Sequence, residues 1–245
     1  MTSTFPPEDL ACPDPDGCTV AVTELEALVR AGGLHETTLD DDKDWFRVYD
    51  ARDGFGQPNP GYGDTRFAPF DASATGRRVP TLYLAESLTA ALLETSLHDV
   101  QERASRVVTE MSLLGKLHAR VAPPASLTLV DLRDPQLLAL GLERKNVSSS
   151  SPEHYPCTRR VARAVHASPS SPSGILWHSR QAELNGVGPQ EVAVVFADRV
   201  PATREAWTLA QRRTASGALL EGAGRLLLDE LAESLDITIA TTDGL

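Results

Sequence analysis

Thr81-Leu82-Tyr83-Leu84-Ala85-Glu86-Ser87-Leu88-Thr89-Ala90-Ala91-Leu92-Leu93-Glu94-Thr95-Ser96-Leu97 is the most informative stretch of this 245-residue chain. Its first five residues are β-branched, aromatic or aliphatic and too short a run for a helix, so they are expected to form a strand. Ser87 or Thr89 then offers a side-chain oxygen to cap a helix N-terminus. Ala90 to Thr95 reads as the start of that helix, with Leu93 and Leu97 four residues apart on one face. Glu94 lies beside this apolar stripe and not opposite it. Such an acid is either a solvated rim residue or a residue of a pocket.

Outward from this unit, Trp45-Phe46-Arg47-Val48-Tyr49 mixes aromatic and β-branched types and reads as a second strand. Residues 50–78 are crowded with Gly, Pro, Asn and Asp and are expected to form a long loop. Long loops in compact domains tend to carry function, and the central Arg66-Phe67 favours that here. Residues 1–20 read as an irregular arm. Residues 20–31 carry Val20, Val22, Leu25, Leu28 and Val29 at helical spacing, with Gly32-Gly33 as the stop. Downstream, strands are expected near 117–121 and 127–132, a helix around 157–166 and a buried-type strand at 191–197. Gly174 to Arg180 reads as a strand with a polar tip. Residues 146–153 and 168–174 are Ser/Pro/Gly-rich connectors. The tail from 217 to 235 has a helical stripe through Leu220, Ala223, Leu227, Leu231 and Leu235. Strands and helices mix without a βαβ rhythm, which predicts an α+β fold. The expected form is a single compact domain, a mixed or antiparallel sheet with surrounding helices. There is no internal repeat and no interdomain linker.

The chain is 41% apolar and 23% charged, ordinary for a globular protein. Its net charge of −11 argues against a nucleic-acid partner. An anionic small molecule remains compatible if a few arginines converge. No apolar run approaches the roughly 18 residues of a membrane span, and the N-terminus lacks the pattern of a signal peptide. A reduced, cytoplasmic protein is expected. Cys12, Cys18 and Cys157 are too sparse for a disulfide framework. Cys12 and Cys18 flank a Pro-Asp-Pro-Asp-Gly turn, but zinc would need a second close ligand pair, so no metal is expected.

A phosphate-binding GxGxxG after a strand and a GxxxxGK[ST] loop are both lacking. The strand carrying Tyr83 leads into the helix carrying Glu94, with Arg47 and Arg66 upstream and the Trp177-His178-Ser179-Arg180 strand end downstream. Each has an ordinary explanation alone: a half-buried strand tyrosine, a solvated helix glutamate, surface arginines.

Their combination resembles the RES domain, named for an Arg, a Glu and a Ser in the toxins of RES–Xre toxin–antitoxin pairs. The matching pieces are Phe46-Arg47-Val48-Tyr49; Gly63-Asp64-Thr65-Arg66-Phe67 followed by Pro69; Leu82 to Ser87 followed by Ala90, Ala91 and Glu94; and Gly174 to Ser179. The resemblance covers about residues 43–200 and is most specific over 63–97. It divides the chain into an N-terminal extension, residues 1–42, and a RES-type domain, residues 43–245. It implies a fold similar to ADP-ribosyltransferases and an activity that depletes NAD by breaking its nicotinamide–ribose bond. The bond would be cut by hydrolysis or phosphorolysis, with NAD as substrate, inorganic phosphate as an optional co-substrate and no resident cofactor. An Xre-type antitoxin is the implied partner, and self-association stays open.

Mapped by motif, Arg47, Glu94 and Ser179 are the expected catalytic residues, and Arg66, Tyr83 and Tyr49 the expected substrate-binding ones. The residue types suit the chemistry. Arginine presents a planar fork to phosphate oxygens. A tyrosine ring can face the flat nicotinamide. Loss of nicotinamide builds positive charge on the ribose, as in glycosidases, and a carboxylate stabilises it. The alternatives are transfer of ADP-ribose to a protein and a non-catalytic RES module that binds a partner. A serine hydrolase is disfavoured, because His178 and Ser179 are neighbours that would point to opposite faces of a strand and no GxSxG elbow is present.

Overall fold

The computed structural model describes residues 7–98, 100–102, 105–201, 206–211, 214–241. The strands are β1 (Glu36–Leu39), β2 (Trp45–Asp50), β3 (Thr81–Ala85), β4 (Val107–Thr109), β5 (Lys116–Ala122), β6 (Leu127–Asp131), β7 (Gly174–His178), β8 (Glu191–Phe196), β9 (Thr208–Leu209), β10 (Ser216–Ala218) and β11 (Thr238–Ala240). The α-helices are α1 (Thr19–Val22), α2 (Leu25–Arg30), α3 (Leu88–Leu93), α4 (Glu110–Leu113), α5 (Gln136–Ala139), α6 (Tyr155–His166), α7 (Arg180–Leu184) and α8 (Gly222–Ser234). Nine strands form one sheet in the order β1-β6-β7-β8-β3-β2-β5-β10, with β9 also on β5; β4 and β11 form a small parallel pair. The large sheet is antiparallel except for β6 and β7, which run parallel and are joined through α5 and α6. A connection this long is what a parallel pair requires. The architecture is the expected α+β one, with this single crossover inside it.

The ladder is uneven where it matters. β3 pairs with β8 along its whole length, and β2 with β5 along its whole length. Between β2 and β3 the register holds only Phe46 opposite Ala85. Beyond that pair the strands diverge, and the irregular 50–78 segment enters beside them through an Asn59–Thr81 bridge. The middle of the sheet is therefore opened at one end.

Alternation along β3 sends Leu82 and Leu84 to one face, with Trp45, Val121 and Trp207. Tyr83 and Ala85 go to the other face, with Phe67, Phe70, Trp177 and α6. A third apolar cluster joins Leu92, Leu93 and Leu97 to Leu228, Leu231 and Leu235. Residues 18–39, within the segment set apart as an extension, pack into the same body. Cys18, Val20, Leu25 and Val29 are core residues, and β1 is an edge strand on β6.

Several local expectations are corrected. The helix expected over 20–31 is broken into α1 and α2 at an extended Thr23, because Thr19, Val20, Val22 and Thr23 crowd β-branched side chains into one turn. Val22 consequently faces solvent. The tail helix begins at Gly222, since 216–218 is taken by β10. Its buried stripe is Gly224, Leu228, Leu231 and Leu235, one position later than expected at its start. Gly224 sits so close to Ala218 that an added Cβ would lie 1.9 Å from its carbonyl oxygen, which turns that face inward. Among the described residues no helix is long and apolar enough to cross a membrane.

Candidate active site

A cavity of about 630 Å³ occupies the opening between β2 and β3. Arg47 and Tyr49 reach it from β2, Tyr83 from β3, Arg66 from the long loop, Glu94 from the end of α3 and Tyr155 from the start of α6. Five of the six expected site residues thus share one wall-to-wall space, and Ser179 stands just behind it.

Glu94 is not inside a helix, as expected, but at the C-cap of α3. Ser87 caps the other end, its hydroxyl accepting from the Ala90 N–H at 3.1 Å. The helix stops because Thr95 turns its hydroxyl back onto the Ala91 carbonyl at 2.6 Å and the Leu97 N–H reaches the Leu92 carbonyl at 2.8 Å. A helix C-terminus is the electrostatically poorer place for a carboxylate. The Ser179 hydroxyl compensates by donating to Glu94 Oε1.

Ser179 itself is fully buried. The strand expected to run to Arg180 ends at His178, and Ser179 is the N-cap of α7, its Oγ accepting from the Ala182 N–H at 3.0 Å. It does not line the cavity. Ser179, expected among the catalytic residues, meets the cavity only through its bond to Glu94. Trp177 is likewise core: its ring meets Phe67 edge-on at 4.8 Å and Tyr83 at 6.3 Å.

The two arginines are buried and already engaged. Arg66 donates through Nη1 to the Val147 carbonyl and to Ser150 Oγ, and through Nη2 to the Ser150 carbonyl at 2.9 Å. Its guanidinium lies 5.4 Å from the Tyr155 ring centre. Its Nε–H has no partner among the described residues. Burial pushes its pKa down, and the Glu94 carboxylate pulls it back up. Arg47 donates to the Phe55 and Gln57 carbonyls, the latter at 2.6 Å, and burial lowers its pKa to about 10. Neither is a free phosphate fork. Each organises a loop and places a desolvated positive charge on the cavity wall.

Tyr83 is similar. Its hydroxyl donates to the Arg66 carbonyl and lies 2.9 Å from Thr65 Oγ1, and burial pushes its pKa well up. It is a neutral clamp on the loop that also offers part of its ring. Tyr49 lines the cavity with its hydroxyl 3.5 Å from Ser216 Oγ. The loop is strained where Tyr83 clamps it: Phe67 has a φ of +66°, in the left-handed region that bulky residues avoid. Its N–H donates to Thr158 Oγ1 on α6.

Two lining residues had no sequence signal. His98 Nε2 lies 3.0 Å from the Tyr155 hydroxyl, joining the loop after α3 to α6 across the cavity. Tyr155 stood just outside the helix expected at 157–166, and His98 in a stretch with no motif. The expectation that Cys12 and Cys18 lack a second ligand pair is also overturned: His154 and Cys157 complete a cluster with them, and none of the four lines this cavity.

An α+β sheet opened over an acid and two buried arginines defines the class. A family model described as "RES domain" matches residues 33–214, and the chain belongs to the RES domain family. Its fold is similar to that in a solved structure described as the crystal structure of the M. tuberculosis MbcT-MbcA toxin-antitoxin complex. The TM-score is 0.53 at 19% identity, covering 85% of this chain and 97% of that one. No curated protein matches.

Proposed function

We propose that this chain is a RES-type toxin that cleaves the nicotinamide–ribose bond of NAD in the cytoplasm, with water or inorganic phosphate as acceptor. The observation that carries the reading is Glu94, its carboxylate pinned by Ser179 on the wall of a cavity that also holds two buried guanidinium groups. The volume of about 630 Å³ falls in the usual range of small-molecule sites, roughly 300–1,000 Å³.

In this reading the bond between C1′ of the ribose and the pyridinium nitrogen breaks, its electron pair goes to the ring, and nicotinamide leaves neutral. C1′ becomes cationic, and the Glu94 carboxylate stabilises that charge. Water or phosphate then bonds to C1′, and water gives up a proton. The charges of Arg47 and Arg66 attract the pyrophosphate, while Tyr83 and Tyr49 offer ring surface to nicotinamide. No resident cofactor is needed for this chemistry. The RES family, and the toxin–antitoxin complex in which a similar fold is found, support the toxin role and an antitoxin partner, proposed to be of the Xre type.

The test is nicotinamide release from NAD by the purified protein, with and without phosphate, beside Glu94→Gln. Release that depends on Glu94 is expected, and its phosphate dependence assigns the acceptor. A folded wild-type protein that binds NAD but releases no nicotinamide in either buffer would replace catalysis by partner binding.

A further inference from the structure

A second cluster of reactive side chains lies at the start of α6, and none of its members lines the cavity. Cys12 and Cys18 bracket the turn at 13–17, where the Gly17 N–H bonds Asp14 Oδ1 at 3.0 Å and the Cys18 N–H bonds the Asp14 carbonyl at 3.0 Å. His154 and Cys157 are three residues apart at the start of α6, a spacing that puts both side chains on one face. The four ligand atoms, three Sγ and one imidazole nitrogen, all lie within 4.8 Å of one another.

The distances have the dimensions of a coordination polyhedron. Zinc–sulfur bonds of about 2.3 Å at tetrahedral angles hold two sulfurs about 3.8 Å apart, and a sulfur and an imidazole nitrogen about 3.6 Å apart. Cys18 Sγ and Cys157 Sγ are 3.7 Å apart, and Cys157 Sγ and His154 Nδ1 are 3.7 Å apart. A disulfide would need its sulfurs at about 2.05 Å. All three cysteines are free.

The geometry points to a structural zinc site formed by Cys12, Cys18, His154 and Cys157. Binding releases three thiol protons to solvent and leaves one zinc ion, three thiolates and a neutral imidazole, with net charge −1. With four protein ligands the sphere is closed and has no open position for substrate, so its role is to hold chain together. It clips the turn at 13–17 onto the first turn of α6. Nearby ties run the same way: the Thr19 N–H and hydroxyl both reach Asn146 Oδ1 at 3.2 Å, and the Glu143 N–H reaches Thr19 Oγ1 at 3.1 Å. The clipped corner adjoins the 147–150 turn that holds Arg66 and the residue, Tyr155, that lines the cavity. This inference does not depend on the NAD reading.

The test is metal content and cobalt spectroscopy on the full chain, made without a metal-binding tag and kept reduced. About one zinc per chain is expected by elemental analysis. Replacing it with Co²⁺ is expected to give the intense visible bands of a tetrahedral site and a thiolate charge-transfer band. Cys157→Ser removes a core thiol and can disturb folding, so Cys12→Ser and His154→Ala, at half-buried positions, are the deciding variants. Each is expected to weaken zinc retention more than about 100-fold, beyond what loss of an outer-shell partner does. Chelation of the wild type is expected to lower its melting temperature and leave that of Cys12→Ser unchanged. The proposal is overturned if the folded, reduced wild type holds only background metal and gives no tetrahedral cobalt spectrum. It is equally overturned if the two variants keep wild-type zinc, or if mass spectrometry finds Cys18 and Cys157 joined as a disulfide.

Discussion

Glu94 and Arg66 face the same cavity but are held by different means. Glu94 is fixed where two short helices end and begin: it is the C-cap of α3, and its partner Ser179 is the N-cap of α7. Arg66 is fixed by the carbonyls of an irregular turn at 147–150, more than 80 residues away in sequence. The acid can be removed without undoing either helix. The arginine cannot be removed without leaving a buried acceptor, the Ser150 carbonyl, unpaired. Chemistry and architecture are thus separated between two walls of one site, and substitutions should report the difference.

The largest expected effect is on the acid wall. Glu94→Gln should cut nicotinamide release by about 100- to 1,000-fold, the range seen when one transition-state charge partner is lost. Its urea midpoint should stay near that of the wild type. Arg66→Ala should behave in the opposite sense, losing about 1–3 kcal/mol of stability through the orphaned Ser150 carbonyl, as measured by urea unfolding. An Arg66→Ala protein with an unchanged midpoint and a raised KM alone would erase the contrast and return Arg66 to a simple ligand role. Ser179→Ala should sit between them. It removes a helix cap worth about 1 kcal/mol. Because Ser179 acts through Glu94, kcat should fall while KM for NAD holds, and Ser179→Thr should restore part of the loss.

A smaller effect concerns pH. His118 on β5 is buried with neither ring nitrogen bonded among the described residues, and burial lowers its pKa below the ordinary 6.5. The unfolded chain therefore takes up a proton that the folded chain refuses. Stability contributed by the neutral ring is present above about pH 6.5 and is lost as pH falls below it. His118→Leu should flatten the fall in urea midpoint over that acid window, while leaving the Glu94 and Arg66 contrast intact.

Much of the frame was legible in the sequence because it is local. The short apolar runs over 81–85 and 191–197, the turn residues over 50–78 and the cap offered by Ser87 or Thr89 all act within a few positions. The motif residues also converge: Arg47, Tyr49, Arg66, Tyr83 and Glu94 line one cavity. What was not legible is what depends on distant chain. The opening between β2 and β3 is a missing ladder, and composition does not record hydrogen bonds that fail to form. The roles of the arginines depended on carbonyls at 55, 57, 147 and 150, which no side-chain pattern announces. Ser179 read as a strand tip because Ile175 to His178 dominate the local pattern. The three residues after it were the available sign of a helix start. Cys157 looked solitary because its partners Cys12 and Cys18 lie at the other end of the chain.

The bond between Ser179 and Glu94 also sets a timetable. A chain made in the N-to-C direction exposes Arg47, Arg66, Tyr83 and Glu94 to the surroundings before Ser179 and β8 exist. β3, however, lies between β2 and β8, and the anchor of the carboxylate is 85 residues beyond it. Until β8 has been made and has docked, the sheet lacks its central neighbour, and Glu94 is a loose acid on an unsupported turn. The site therefore comes into being only after β8 has been made, and all at once, not gradually as its residues emerge.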